Sequence, residues 1–169
     1  IKNKKIRRVD LYFANPDKKV RKQSIHFNDN GLVVKVENIY EDTVRSQRKY
    51  DRGASGQLIT ETFSYFFPNS KSETIWDVTE YKYDDSNNLI ETRKRIQNSE
   101  ITKDTATDFA KYEYDAEKRI IKIREHFYYG ELGSSAQISE IKYFNKNQKS
   151  ITEIREKGKN RSTHTKLFD

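Results

Sequence analysis

The chain has no cysteine and no methionine among its 169 residues, and only two prolines and six glycines. Without cysteine there are no disulfides, no thiolate metal ligands and no thiol nucleophile. No apolar run approaches 18 residues, so no helix of this chain spans a membrane. Position 1 is Ile, not Met, which is expected of a stretch inside a longer precursor. Such a start is compatible with a signal peptide or a lipid-bearing cysteine removed upstream. Hydrophobic residues make up 33% of the chain and charged residues 35%, a balance that by itself points toward disorder. Two features oppose disorder: aromatics reach 12%, and β-branched residues recur at regular intervals. A thin structure with much surface per residue fits both, as a single β-repeat domain over 1–169.

The net charge is +7. Basic clusters stand at Lys2–Arg8, Lys18–Lys22, Arg93–Arg95 and Lys157–Arg161, with acids interleaved near most of them. Mixed charge of this kind marks solvated faces, and Lys on sheet edges discourages pairing between molecules. Nucleic acid is not expected as a partner.

The hydrophobic pattern has period 2 almost throughout. Ile59, Phe63, Tyr65 and Phe67 alternate with Thr60, Thr62 and Ser64. Ile121, Ile123, Phe127 and Tyr129 alternate with Lys122, Arg124 and His126. Val9, Leu11 and Phe13 form a third such set, and Tyr81 with Tyr83 and Tyr112 with Tyr114 share faces. These are half-buried strands. Turn chemistry separates them at 28–31, 68–70, 84–88, 115–118 and 145–148, with longer connections at 98–108 and 130–136. The stretch 99–110 supports no more than one or two helical turns. The expected fold is all-β: an antiparallel meander of 11 or 12 strands forming an extended twisted or curled sheet.

An aromatic–acid dipeptide punctuates the strands. It is clear at Tyr83-Asp84 and Tyr114-Asp115 and weaker at Phe27-Asn28, Tyr50-Asp51 and Phe144-Asn145, with spacings of 23, 33, 31 and 30 residues. A period of this size signals a repeat architecture. The Asp can accept hydrogen bonds from turn amides, and the residue three positions later supplies a positive φ. That residue is Gly31, Asn87, Lys118 or Gln148. At Tyr50 the extra residues through Gly56 predict a longer turn.

Tyr81-Lys82-Tyr83-Asp84 with Asn87 and Leu89-Ile90, and Tyr112-Glu113-Tyr114-Asp115 with Lys118 and Ile120-Ile121, resemble the YD repeat of RHS-type bacterial proteins. The resemblance covers five short stretches between residues 25 and 151. It implies related hairpin chemistry. Twelve strands are too few for the toxin-enclosing shell of long RHS arrays. Small secreted or lipid-anchored proteins of Bacteroides-like bacteria look similar. That resemblance implies an extracytoplasmic place: periplasmic, cell-surface or secreted.

Chemistry-bearing patterns are few. His26, His126 and His164 lack metal-ligand spacing, and no nucleophile elbow, P-loop or dinucleotide fingerprint is present. The acidic turns lack the spacing and closing Glu of a calcium loop. No cofactor or metal is expected. The aromatics are the candidate binding residues: Phe63, Tyr65, Phe67, Trp76, Tyr81, Tyr83, Tyr112, Tyr114, Phe127 and Tyr129. They either pack across strands or line a contact surface. Three readings follow. The first is a non-enzymatic binding or scaffold module with a protein, peptide or glycan partner and edges able to self-associate. The second is a curled-sheet carrier of an apolar ligand, lined by Ile59, Phe63, Phe67, Ile121, Ile123 and Phe127. The third is a glycan-acting enzyme built on a carboxylate pair.

Overall fold

The computed structural model describes residues 5–13, 21–67, 72–97, 107–128, 134–144, 148–157 and 160–168. Twelve strands follow one another in sequence order, β1 (Arg8–Phe13), β2 (Arg21–Phe27), β3 (Val33–Tyr40), β4 (Thr43–Arg52), β5 (Leu58–Phe66), β6 (Glu73–Tyr83), β7 (Leu89–Ile96), β8 (Thr107–Tyr114), β9 (Ile120–Tyr128), β10 (Ser134–Tyr143), β11 (Lys149–Lys157) and β12 (Asn160–Phe168). They form one antiparallel meander sheet, open between β1 and β12. The described residues contain no helix. The expected all-β meander is therefore what forms. Thr107–Ala110, expected in a loop or helical turn, begins β8, and Ser134–Ala136 begins β10. The rest of those connections, like Pro68-Asn69-Ser70, lies outside the described residues.

Chain contacts divide the molecule into two compact units, Ile1–Glu80 with Ile96–Asn98, and Tyr81–Arg95 with Ser99–Asp169. Ala110 alone among the described apolar residues is buried. Stability must then come from many half-buried cross-strand pairs and polar bonds rather than from a thick core.

The hairpins that follow β2, β4, β6 and β8 are copies of one turn. Its first residue is Asn28, Gly53, Asp84 or Asp115. In each copy that residue's N–H donates to the carbonyl four positions on, and its own carbonyl accepts from the N–H three positions on, all at 2.9–3.0 Å. The third following residue is left-handed: Gly31 at φ 77°, Gly56 at 86°, Asn87 at 66° and Lys118 at 62°. This is a reversal followed by one residue of positive φ, a common hairpin closure. Where the first residue is Asn28, Asp84 or Asp115, its side-chain Oδ1 also accepts the amides two and four positions on, at 2.8–3.0 Å. Those bonds favour the charged acid. The Asp84 pKa falls below the usual carboxylate range, chiefly through the Asn88 side chain. At Asp115 partial burial works against the charge, but the Arg119 amide and guanidinium outweigh it.

Two expectations are corrected here. The turn near Tyr50 is not longer. Tyr50 and Asp51 belong to β4, and Gly53 takes the place of the acid, so the extra residues lengthen the strand and not the turn. At the last copy the Phe144 N–H donates to the Gln148 carbonyl at 3.0 Å, so Phe144 and not Asn145 holds the first position. Gln148 is then the fourth following residue, not the third. A further reversal carries no sequence signal of the preferred kind. Glu41 and Asp42, both at positive φ, join β3 to β4 where Asn-Gly would be favoured.

Lys118 is the least suited of the four left-handed residues, because its Cβ crowds the backbone there. Lys118→Gly is expected to stabilise the protein by about 0.5–1 kcal/mol, net of the added freedom of the unfolded chain. Chemical denaturation measures it. A destabilised variant would contradict the shared turn geometry.

Before three of the turns, the preceding residue binds the hairpin before it. Tyr114 Oη donates to the Leu89 carbonyl at 2.8 Å. Tyr143 Oη donates to the Ile120 carbonyl at 3.1 Å. Arg52 stands where those tyrosines stand, and its Nε donates to the Val33 carbonyl at 3.1 Å. Each accepting residue is the fifth after the first position of the preceding turn: 84 to 89, 115 to 120, 28 to 33. Register shifts recur at the same place, between His26 and Phe27, Asp51 and Arg52, and Glu113 and Tyr114. A bulge there turns the side chain of the second residue toward the neighbouring hairpin. β10 and β11 pair without such a shift.

Candidate binding face

In the first unit one sheet face carries a continuous polar row, and most of the connected aromatics lie on the other. Direct pairing places Asp10, Ser24, Glu37, Gln47 and Ser64 in one row across β1 to β5. Ser24 and Ser64 are fully buried and Gln47 is 5% exposed. They are buried beneath charged neighbours, so each needs a partner. Ser24 Oγ donates to Asp10 at 2.6 Å and accepts from Arg8 at 3.1 Å. Ser64 Oγ and Gln47 Nε2 both donate to Glu73 Oε1 at 2.7 Å, and Lys49 binds both its oxygens at 2.9 Å. Lys49 first and the Ser64 hydroxyl second bring the Glu73 pKa down to about 2. The Ser24 hydroxyl, then Arg8, hold Asp10 far below the usual range. Burial opposes the charge on Glu37, but Lys35 and His26, each 2.8 Å away, outweigh it.

The opposite face carries Val9, Ile25 and Val36 in register with Arg48, Phe63 and Asp77. The next row holds Leu11, Gln23, Asn38, Ser46, Tyr65 and Thr74. Alternation along β5 fixes Phe63 and Tyr65 on this face, and their ring centroids lie 4.7 Å apart at 67°. Trp76 reaches it through the register shift opposite Phe63 and Ser64, which leaves Trp76 without a direct partner on β5. Its ring lies 5.8 Å from Tyr65 at 89°. Arg48 lies over the Phe63 ring, 4.6 Å from its centroid, and pairs with Glu61. Tyr65 and Trp76 remain 39% and 41% exposed, and Ile59 and Phe67 are exposed as well. No described helix or second sheet covers them.

The candidate aromatics thus divide. Phe63, Tyr65 and Trp76 form one connected cluster, with Phe67 just past the end of β5. The second unit holds Tyr81, Tyr83, Tyr112, Tyr114 and Phe127, all half-buried. Tyr112 lies opposite Ile123 and Phe127 opposite Ser135. Tyr114 serves the hairpin bond described above, and burial raises the pKa of its phenol. Tyr129 lies outside the described residues. Of the six side chains expected around a carrier cavity, Ile59, Phe63 and Phe67 belong to the first unit and Ile121, Ile123 and Phe127 to the second.

The histidines stand apart in chemistry as well as position. His26 pairs with Glu37, His126 stacks flat on Phe109 at 5.2 Å, and His164 lies opposite Glu153. No group of three or more His, Asp or Glu among the described residues is arranged to hold a metal ion. Carboxylates of the second unit face lysines and arginines across strands, as in Glu140 with Lys122 and Glu113 with Arg124, both below 3 Å. Within the basic clusters, Arg7 pairs with Asp29, Arg8 and Lys22 with Asp10, Arg93 with Glu91 and Arg161 with Glu156.

No family model matches the chain, and no curated protein matches it. Among solved structures it is similar to a chain of the "Crystal Structure of TcdB2-TccC3-TEV", at 12% identity and a TM-score of 0.34. That match covers 91% of this chain and 12% of the other.

Proposed function

We propose that the protein is a non-enzymatic binding or scaffold module, of a bacterial surface or periplasmic protein, that contacts a protein or peptide partner through the first unit's apolar face. The observation that carries this reading is the exposed Phe63–Tyr65–Trp76 cluster with Arg48 stacked beside it. Tyr, Trp and Arg are the residues most enriched where binding energy concentrates. A lone exposed aromatic is ordinary, whereas a connected cluster on an uncovered sheet is an interaction surface. The ring planes favour a protein or peptide partner. Stacking on flat sugar faces calls for rings presented side by side in one plane. Interplanar angles of 67° and 89° instead make a ridged surface suited to side chains.

Selection of peptides from a displayed random library tests the reading. Selected peptides are expected to lose about 30-fold or more in affinity to Trp76→Ser and Tyr65→Ser, and nothing to Lys111→Ala in the second unit. Equal binding to all of them would contradict it. A second reading, carriage of an apolar ligand, rests on an open hollow of about 500 Å³ lined by Ile6, Val9 and Phe27 together with Lys5, Asp29 and Asn30. That volume falls within the range of small-molecule sites. Solvent extraction and mass spectrometry of the purified protein distinguish it by the presence of a bound lipid.

A further inference from the structure

We propose that the partner of the first unit's apolar face is a second copy of the same chain, packed face to face across a two-fold axis as a β-sandwich. The inference rests on the reading of that face as an interaction surface and names what occupies it. Area is the first argument. Six strands at ~4.8 Å spacing, with about eight residues each at ~3.4 Å rise, present roughly 750 Å². A standard interface takes about 800 Å² from each partner. One face of this unit is therefore enough for a specific dimer and leaves no large apolar remainder in water.

Charge is the second argument. The chain carries +7, so two copies repel through most of their surface. Among the described side chains of this face, Arg48 and Arg52 lie beside Glu61 and Asp77. Arg48 is paired with Glu61, and Arg52 donates to the Val33 and Gly56 carbonyls at 3.1 and 3.0 Å. With these arginines already engaged, repulsion between two copies is smaller across this face than across the rest of the basic surface.

Polar satisfaction is the third argument. Gln23 donates to Asn38 and Asn38 to Ser46, each at 3.1 Å. The amides between the apolar rows thus hold bonds within the face and can be covered by side chains that offer none. Sheets pack about 10 Å apart, which leaves room for the Tyr65 and Trp76 rings to interleave with aliphatic side chains of the second copy. An isologous contact of this kind closes on itself and does not propagate into fibres.

The test is sedimentation velocity of the full chain from 1 to 100 µM, beside Tyr65→Asp, Ile59→Asp and the control Lys111→Ala. A wild-type dimer is expected, with dissociation about 100-fold more favourable in the two face variants and unchanged in the control. Both altered side chains are exposed, and far-ultraviolet circular dichroism verifies that the variants fold. A dimer indifferent to both substitutions overturns the proposal. A wild-type monomer at 100 µM also overturns it, and the dye anilinonaphthalene sulfonate then separates two cases. Dye fluorescence that drops in Tyr65→Ser and Trp76→Ser leaves the face as a surface for another protein. Fluorescence equal in all of them overturns that reading too.

Discussion

Glu73→Ala is expected to destabilise the first unit by about 2–4 kcal/mol, the upper end of what a single polar substitution does. Glu73 Oε1 is the acceptor for Ser64 Oγ and Gln47 Nε2 at 2.7 Å. Ser64 is fully buried and Gln47 nearly so, while the Glu73 side chain is 30% exposed, so water replaces only part of what it accepts. Their loss of a partner outweighs the loss of the half-exposed Lys49 pair, which on its own contributes under about 1 kcal/mol. Glu73→Gln keeps an oxygen acceptor and is expected to lose less than half as much. Denaturant unfolding of the three proteins measures the series. Equal stability of wild type and Glu73→Ala would remove the polar row from any account of how this sheet is held.

The same carboxylate makes the fold acid-sensitive. Its folded pKa, about 2, lies below the ~4.3 of an unfolded Glu. Its stabilisation is therefore complete above about pH 4.3 and is lost as the pH falls toward 2. Asp10 and Glu37 are lowered as well and act in the same direction. Unfolding free energy plotted against pH is expected to fall less steeply below pH 4.3 in Glu73→Ala than in the wild type.

Arg52→Ala is the second large effect. Arg52 binds two carbonyls, those of Val33 and Gly56, and ties the hairpin at Gly53 to the one at Asn28. Loss of charge-assisted bonds to two backbone acceptors predicts a cost of about 1.5–3 kcal/mol. The effect should be local to the first unit. Hydrogen exchange is expected to accelerate in β3 to β5 while β8 to β11 keep their protection. Uniform acceleration across both units would contradict the nearest-neighbour character of the hairpin bonds.

The repeat was legible wherever the acid itself was present. Asp84 and Asp115, followed three residues later by Asn87 and Lys118, announce both the accepting side chain and the left-handed position. Gly53 hides the same turn, because glycine reaches the conformation through backbone freedom and leaves no side-chain mark. The nearby Tyr50-Asp51 then draws the eye to a strand. Phe144 hides it in another way, with an aromatic at the acid's place and an Asn one step later. Glu41-Asp42 has no favoured composition for two positive φ values, so tertiary pairing of β3 with β4 must impose them.

The candidate face was half legible. Alternation along β5 places Phe63 and Tyr65 together, since successive side chains point to opposite faces. Trp76 could not be placed by counting, because a register shift on β6 carries it to that face. Nor does the sequence reveal why a Tyr precedes the acid. The hydroxyl's acceptor, Leu89 or Ile120, lies more than twenty residues back and is found only across the sheet. Arg52 looks like a departure from the motif and proves to be a replacement with the same acceptor position.

That equivalence is the central claim: Arg52, Tyr114 and Tyr143 fasten their hairpins to the preceding ones through the same acceptor position. Comparing Arg52→Tyr with Arg52→Phe in denaturant unfolding tests it with a single hydroxyl. Tyr is expected to be more stable than Phe by about 1 kcal/mol, the value of one buried hydrogen bond to a backbone carbonyl. Equal stability of the two variants would contradict it.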